Sequence, residues 1–228
     1  MNVQDRRRIL GPASAKPLVF ANSNEKQSLS ALNNDELNFQ NGIISNSNGS
    51  SIVENNKMSL LTLVYGPRST RDVSFQPNCK INIIIKSEKF ETKNLKELSQ
   101  FLISVLQCCV CLENYPKSGI DIFINFNIED EDELVEYIPA LVSGCIIALI
   151  DANIEITDII GAITLNHTAV CLGQNGDQLL GLWKDPYKFN NNESGDYDDS
   201  IPLSEIIKSC QEKIIVSKQQ LIRFISNM

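Results

Sequence analysis

Ser59-Leu60-Leu61-Thr62-Leu63-Val64-Tyr65-Gly66-Pro67-Arg68 sets five apolar residues around one threonine and then breaks at Gly-Pro. A run this short and this apolar predicts a strand buried on both faces. Proline offers no N–H to a ladder, so Gly66-Pro67 predicts the end of the strand. Arg68 and Arg71 then fall on an exposed loop with a rigid base.

Working outward, short β runs are predicted at Gly42 to Ser45, Ser51 to Glu54 and Lys80 to Ile85. Residues 94–114 place Leu95, Leu98, Phe101, Leu102, Val105, Cys109 and Leu112 on one helical face, with Asn94 as N-cap. Tyr115-Pro116 stops that helix. Residues 119–127 alternate Ile120, Ile122, Ile124 and Phe126 with Asp121, Phe123, Asn125 and Asn127, a strand pattern. Residues 134–152 are apolar nearly all round, which predicts a buried helix with Pro139 in its first turn and Asn153 as the left-handed residue beyond its end. Residues 168–172 and 178–183 flank Asn175-Gly176, a hairpin signal. Residues 185–200 read as an acidic, Asn-rich loop. Residues 203–225 read as an amphipathic helix with Leu203, Ile206, Ile207, Cys210, Ile214, Leu221, Ile222 and Ile225 inward. Residues 1–41 read as an arm and a flexible, Asn/Ser/Glu-rich insert. Residues 42–228 read as one α/β domain with a mixed sheet and packed helices.

The net charge of −8 and pI of about 4.8 argue against a free-standing nucleic-acid binder. Any RNA contact needs local basic patches, or else the partners are proteins. Seven cysteines, with Cys108, Cys109 and Cys111 inside an apolar stretch that has no His nearby, do not supply two separated pairs, so buried thiols are expected rather than a metal centre. The single histidine, His167, has no nucleophile elbow beside it and reads as a surface or strand-edge residue. No glycine-rich phosphate loop is present. The longest apolar stretch, Ala140 to Ile150, is too short for a bilayer, and no secretory h-region follows the basic start, so a soluble intracellular protein is expected, with no membrane partner.

Two basic patches stand out. Arg6, Arg7, Arg8 and Lys16 oppose only Asp5 in the arm, and Lys57, Arg68 and Arg71 have no acid between them. Guanidinium groups in such places grip a phosphodiester backbone, which makes Arg68, Arg71, Arg6, Arg7 and Arg8 the candidate RNA-binding residues. A solvated face or a protein interface explains them equally. Glu129-Asp130-Glu131-Asp132-Glu133 offers carboxylates, but consecutive side chains diverge, and the run suits the N-terminus of the following helix. No catalytic residue, metal ligand or cofactor is assigned.

Three segments resemble the RNase PH family. Gly49 to Glu54 with Leu63-Val64-Tyr65-Gly66-Pro67-Arg68 resembles its opening strands and "YGPR" turn. Tyr115-Pro116-Lys117-Ser118-Gly119-Ile120-Asp121-Ile122-Phe123-Ile124 resembles its "FPRSxIDIF" strand entry. Ala148-Leu149-Ile150-Asp151-Ala152-Asn153-Ile154 with Asp158-Ile159-Ile160-Gly161-Ala162 resembles "ALADAGI…DLVAG". The likeness is strongest to the members that form the eukaryotic RNA exosome ring. It implies the RNase PH-like (ribosomal-protein-S-five domain-two-like) fold and a place beside other RNase PH-like ring subunits and RNA-binding cap proteins. It also implies RNA as a threaded substrate, and residence in nucleus, nucleolus and cytoplasm.

The departures from the family pattern imply a non-catalytic subunit. Active members carry a Gly-Ser-Arg-like phosphate turn before the second helix, where this chain has Val135-Glu136-Tyr137. They also carry metal-binding carboxylates after a strand whose counterpart here is Cys171-Leu172-Gly173-Gln174-Asn175-Gly176, with only Asp177 beyond. The rivals are a phosphorolytic 3′–5′ exoribonuclease with a different phosphate site and an unrelated α/β enzyme.

Overall fold

The computed structural model describes residues 37–69, 77–128, 133–165, 167–173, 176–184 and 203–228. All of these fall within one compact unit, Asn34–Met228. Arg6, Arg7, Arg8, Arg71 and most of the acidic run lie outside the described residues.

The five-stranded sheet has the order β1-β2-β3-β5-β4, from β1 (Asn38–Asn41), β2 (Gly49–Asn55), β3 (Met58–Ser69), β4 (Lys80–Lys86) and β5 (Ser118–Ile128). All pairs are antiparallel except β4 with β5, so the sheet is mixed. The parallel pair requires a crossover, supplied by α1 (Thr92–Gln107). A second helix, α2 (Ile138–Asp151), follows a 3₁₀ turn at Leu134–Tyr137. A three-stranded antiparallel sheet follows, β6 (Gly161–Leu165), β7 (Thr168–Gly173) and β8 (Gln178–Lys184), and then the helix α3 (Leu203–Ile225).

α2 packs on β2 and β3 on one side and on β6 and β7 on the other, while α1 bridges β4 and β8. The two helices thus fill the layer between the sheets, and α3 covers the outer side of β6 and β7. A helix caught between two sheets needs apolar residues all round, and eleven of the fourteen in α2 are buried. Close approach is bought with small residues. A Cβ on Gly49 would lie 2.3 Å from the Ala148 carbonyl oxygen, and Ser51 Oγ donates to the Gly144 carbonyl at 2.8 Å. Leu134–Asp151 is long and apolar enough to cross a bilayer by composition, contrary to the expectation from Ala140 to Ile150. However, 72% of that segment is buried inside the protein.

Several boundaries differ from expectation for identifiable reasons. The first strand is Asn38–Asn41 and not Gly42 to Ser45. Gly42 has φ +66, and the Ser50 hydroxyl takes the N–H groups of Ile43 and Ile44, which turns that stretch away from the ladder. β3 does not end at Gly66-Pro67. Its ladder with β5 jumps from Tyr65↔Asp121 to Arg68↔Gly119, so the bulge absorbs the residue that lacks an N–H. α1 starts after Glu91, because the Leu95 N–H bonds to the Glu91 carbonyl, and Asn94 lies inside its first turn. It ends at Gln107 and not near Asn114. Val110 instead bridges Ile156, and the Thr157 N–H reaches the Cys109 carbonyl. Asn153 does adopt φ +55 beyond α2. In α3, Cys210, Ile214 and Leu221 are buried as expected, but Ile222 is exposed. Lys218, on the same inward side, is buried against Asp158.

Candidate functional site

The start of α2 is the first place to look for phosphate chemistry, because a helix N-terminus attracts anions. Leu134, Val135 and Tyr137 turn inward, and the Thr164 hydroxyl donates to the Val135 carbonyl at 3.0 Å. Glu136 points to solvent. The Glu133 carboxylate meets Nδ1 of His167, which stands at φ +54 in the β6–β7 turn and is 35% exposed. Two carboxylates, Glu133 and Glu136, thus stand at the start of α2, where their charge disfavours an anion. His167 is the strand-edge histidine expected. Its partner Glu133 was not legible, because only the hairpin register brings the two together.

The second place is β7, whose six residues are all buried. Alternate side chains face opposite layers. Ala169 and Cys171 join the main core, while Val170 and Leu172 pack with Cys210 and Ile214 of α3. Between Ala169 and Leu172 neither face of the strand leaves room for an ionised carboxylate. Asp177, past the turn, is exposed. Among the described residues no three His, Cys, Asp or Glu side chains converge to hold a metal ion, so this donor set does not fit a divalent cation.

Thiol chemistry is equally disfavoured at the buried cysteines. Burial pushes Cys109, Cys145 and Cys171 up to about 12, with Cys108 and Asp158 adding to the shift at Cys109. Cys108 and Cys109 line a cleft of about 340 Å³ with Thr157, Asp158, Gly173, Gln178 and Leu180. Arg68 is not among its lining residues.

The third place is the outer face of the five-stranded sheet, where Arg68 stands. Its guanidinium donates to Asp121 Oδ2 at 2.8 Å and lies 5.5 Å from the centre of the Tyr65 ring. The Asn82 amide donates to Asp121 Oδ1 at 3.3 Å, and Tyr65 stacks edge-on against Phe123 at 5.6 Å. Arg68 is still 58% exposed. Across the ladder, Gly119 separates it from Lys80, so two cations flank a position without a side chain. Asp121, Asn82 and Lys80 were missed as members of this group. Alternation along β5 puts Asp121 on the outer face, but only strand order sets it between β3 and β4.

The chain matches the 3′ exoribonuclease family (RNase PH), domain 1, over residues 35–155. It is 25% identical over 196 residues to the exosome complex component mtr3 of Schizosaccharomyces pombe, covering 81% of this chain and 72% of that one. It is 30% identical over 221 residues to the exosome complex component MTR3 of Chaetomium thermophilum, covering 80% and 76%. Archaeal relatives named Rrp41 are spanned over less of their length, 61% for that of Pyrobaculum islandicum. Among solved structures, rice Rrp46 superposes with a TM-score of 0.63 at 16% identity, over 86% of this chain and 96% of that one.

Proposed function

This chain belongs to the RNase PH family of 3′ exoribonucleases, and on that premise we propose that it is a non-catalytic structural subunit of an RNA exosome core ring. It supports 3′–5′ processing and decay of ribosomal, messenger and other RNAs by completing the ring and lining the RNA path. The observation that carries the reading is β7. Ala169 to Leu172 are packed on both faces, and the stretch that follows, where active family members hold carboxylates, reads Gly173-Gln174-Asn175-Gly176 with only the exposed Asp177 beyond, whereas phosphorolysis needs a held phosphate and charge offset at the scissile bond. The partners are other RNase PH-like subunits and RNA-binding cap proteins, in nucleus, nucleolus and cytoplasm.

Two surface features support assembly. On the outer face of the five-stranded sheet, opposite α1 and α2, Ile52, Leu61, Leu63, Tyr65 and Phe123 are only half-buried, and Ile84 is 39% exposed. An apolar, aromatic centre with a polar rim is the composition of a protein interface. At the rim, Arg68 supplies local positive charge of the kind that RNA requires on a chain of net charge −8, and Arg71, Arg6, Arg7 and Arg8, outside the described residues, are proposed to add to it.

Co-expression with the other ring subunits, read by native mass spectrometry, tests the assignment. A closed hetero-oligomer containing one copy of this chain is expected. A chain that remains monomeric and monodisperse beside its ring partners would sink the reading.

A further inference from the structure

Cys108-Cys109-Val110-Cys111 sets two thiols on either side of a two-residue gap, and the fold sorts the cysteines of this stretch by access. Cys108 is exposed, Cys111 is half-buried, and Cys109 is 2% exposed within the main core. Burial pushes the Cys109 thiol up to about 12, which silences it as a nucleophile. The reachable pair is therefore Cys108 and Cys111, which have the spacing of a redox couple. The stretch follows α1, the crossover helix between the parallel strands β4 and β5.

The backbone of this stretch is pinned. The Cys109 and Val110 N–H groups both reach the Leu106 carbonyl, at 3.1 and 3.0 Å, so the chain keeps turning past the end of α1. The Cys111 N–H donates to the Glu155 carbonyl at 3.0 Å, and Val110 bridges Ile156. The two thiols are held far less. Cys108 Sγ donates to the Ser104 carbonyl at 3.3 Å, and Cys111 Sγ lies 3.5 Å from Thr157 Oγ1. Thiols form weak hydrogen bonds, and side chains that reach solvent change rotamer freely. Both thiols border one place. Cys108 and Thr157 line the cleft of about 340 Å³, and Thr157 carries the contact to Cys111. A small disulfide thus has room beside Cys108.

We propose that Cys108 and Cys111 form a reversible redox pair oxidised by glutathione disulfide, with Cys108 attacking and Cys111 resolving. The Cys108 thiolate attacks one sulfur of glutathione disulfide, whose S–S bond breaks, and one glutathione leaves as thiolate. The Cys111 thiolate then attacks the Cys108 sulfur of the mixed disulfide, and the second glutathione leaves. The two cysteines give up two electrons, the reagent takes them, and the two thiol protons pass through water to the departing glutathiones. In a compartment kept reducing by glutathione, such a pair senses redox state instead of stapling the fold. The proposal does not depend on the ring assignment.

The test uses the full chain, incubated with glutathione disulfide, quenched in acid, unfolded and blocked with iodoacetamide. Trypsin releases residues 97–117, which hold Cys108, Cys109 and Cys111. That peptide should carry one blocked thiol and one internal disulfide, and reduction followed by N-ethylmaleimide should mark Cys108 and Cys111. Excess reduced glutathione, added before the quench, should abolish the internal disulfide. Cys111→Ser should trap a glutathione adduct on Cys108, and Cys108→Ser should slow glutathione uptake by this stretch at least about tenfold. Both side chains reach solvent, so the variants should melt like the parent by circular dichroism, and the labelling of the parent decides even where a variant fails to fold. N-ethylmaleimide on Cys109, a glutathione adduct that persists in the parent without an internal disulfide, a disulfide-linked dimer on a non-reducing gel, or no oxidation would each overturn the proposal. So would a Cys108→Ser chain that takes up glutathione at the parent's rate.

Discussion

Arg68 shows how a residue legible in the sequence acquires a different meaning in the fold. The sequence presents an acid-free basic loop, but the sheet register sets Asp121 against the guanidinium at 2.8 Å. Asp121 therefore competes with any phosphate for the same donors. If Arg68 faces RNA in the ring, Asp121→Asn should strengthen RNA retention by a reconstituted ring, and Arg68→Gln should weaken it, with both effects shrinking as salt rises. Filter binding at two ionic strengths reads this, and an Asp121→Asn ring that binds no better would remove Arg68 from the path. The buried thiols make a second prediction at this scale. Cys109, Cys145 and Cys171 are raised from 9.0 to about 12 in the folded chain by burial. Their contribution to stability is thus fully present below about pH 9 and is lost as pH rises toward 12, because the unfolded chain releases protons that the native state keeps. Each thiol adds a slope of up to about 1.4 kcal/mol per pH unit in that window. The urea midpoint should hold up to about pH 8 and fall clearly by about pH 10; a flat midpoint would contradict the burial of these groups.

At the scale of elements, the sequence spoke through periodicity and fell silent where long-range pairing decided. β3, β5, α2 and the β7–β8 hairpin were legible because apolar spacing or Asn-Gly marked them. β1 was not, because Asn38-Phe39-Gln40-Asn41 has no apolar alternation and is held by pairing with β2 and by the Asn41 amide on Asp151. β6 was missed, since its hydrogen-bond partners lie in β7. The end of α1 was misplaced because the bridge of Val110 to Ile156 is invisible locally. Of the site, the scarcity of carboxylates after the β7 strand was readable, but the packing of Leu172 against α3 was not. Lys218 is the clearest case. Helical spacing puts it among inward residues, and only the fold supplies Asp158. The pair is asymmetric, with side-chain exposures of 7% for Lys218 and 32% for Asp158. Asp158→Asn leaves a buried ammonium without its counter-charge and should cost about 3 kcal/mol. Lys218→Met leaves a carboxylate that water still reaches and should cost about 1 kcal/mol, the Met filling the same channel. Urea unfolding measures both, and hydrogen exchange should show α3 as the segment loosened by Asp158→Asn. Equal losses would mean that the lysine is not desolvated as described.

At the scale of the whole molecule, the family fold is kept. Carboxylates stand at the start of α2, and β7 is packed on both faces. Outward stand a half-buried apolar and aromatic sheet face and, on α3, the exposed Ile215, Val216 and Ile222. The central claim is that this chain contributes structure and no phosphorolysis. It is tested most directly by incubating the purified chain with single-stranded RNA, inorganic phosphate and magnesium and measuring nucleoside diphosphate release. The account predicts release no greater than in buffer alone; phosphate-dependent release that a substitution in this chain abolishes would contradict it.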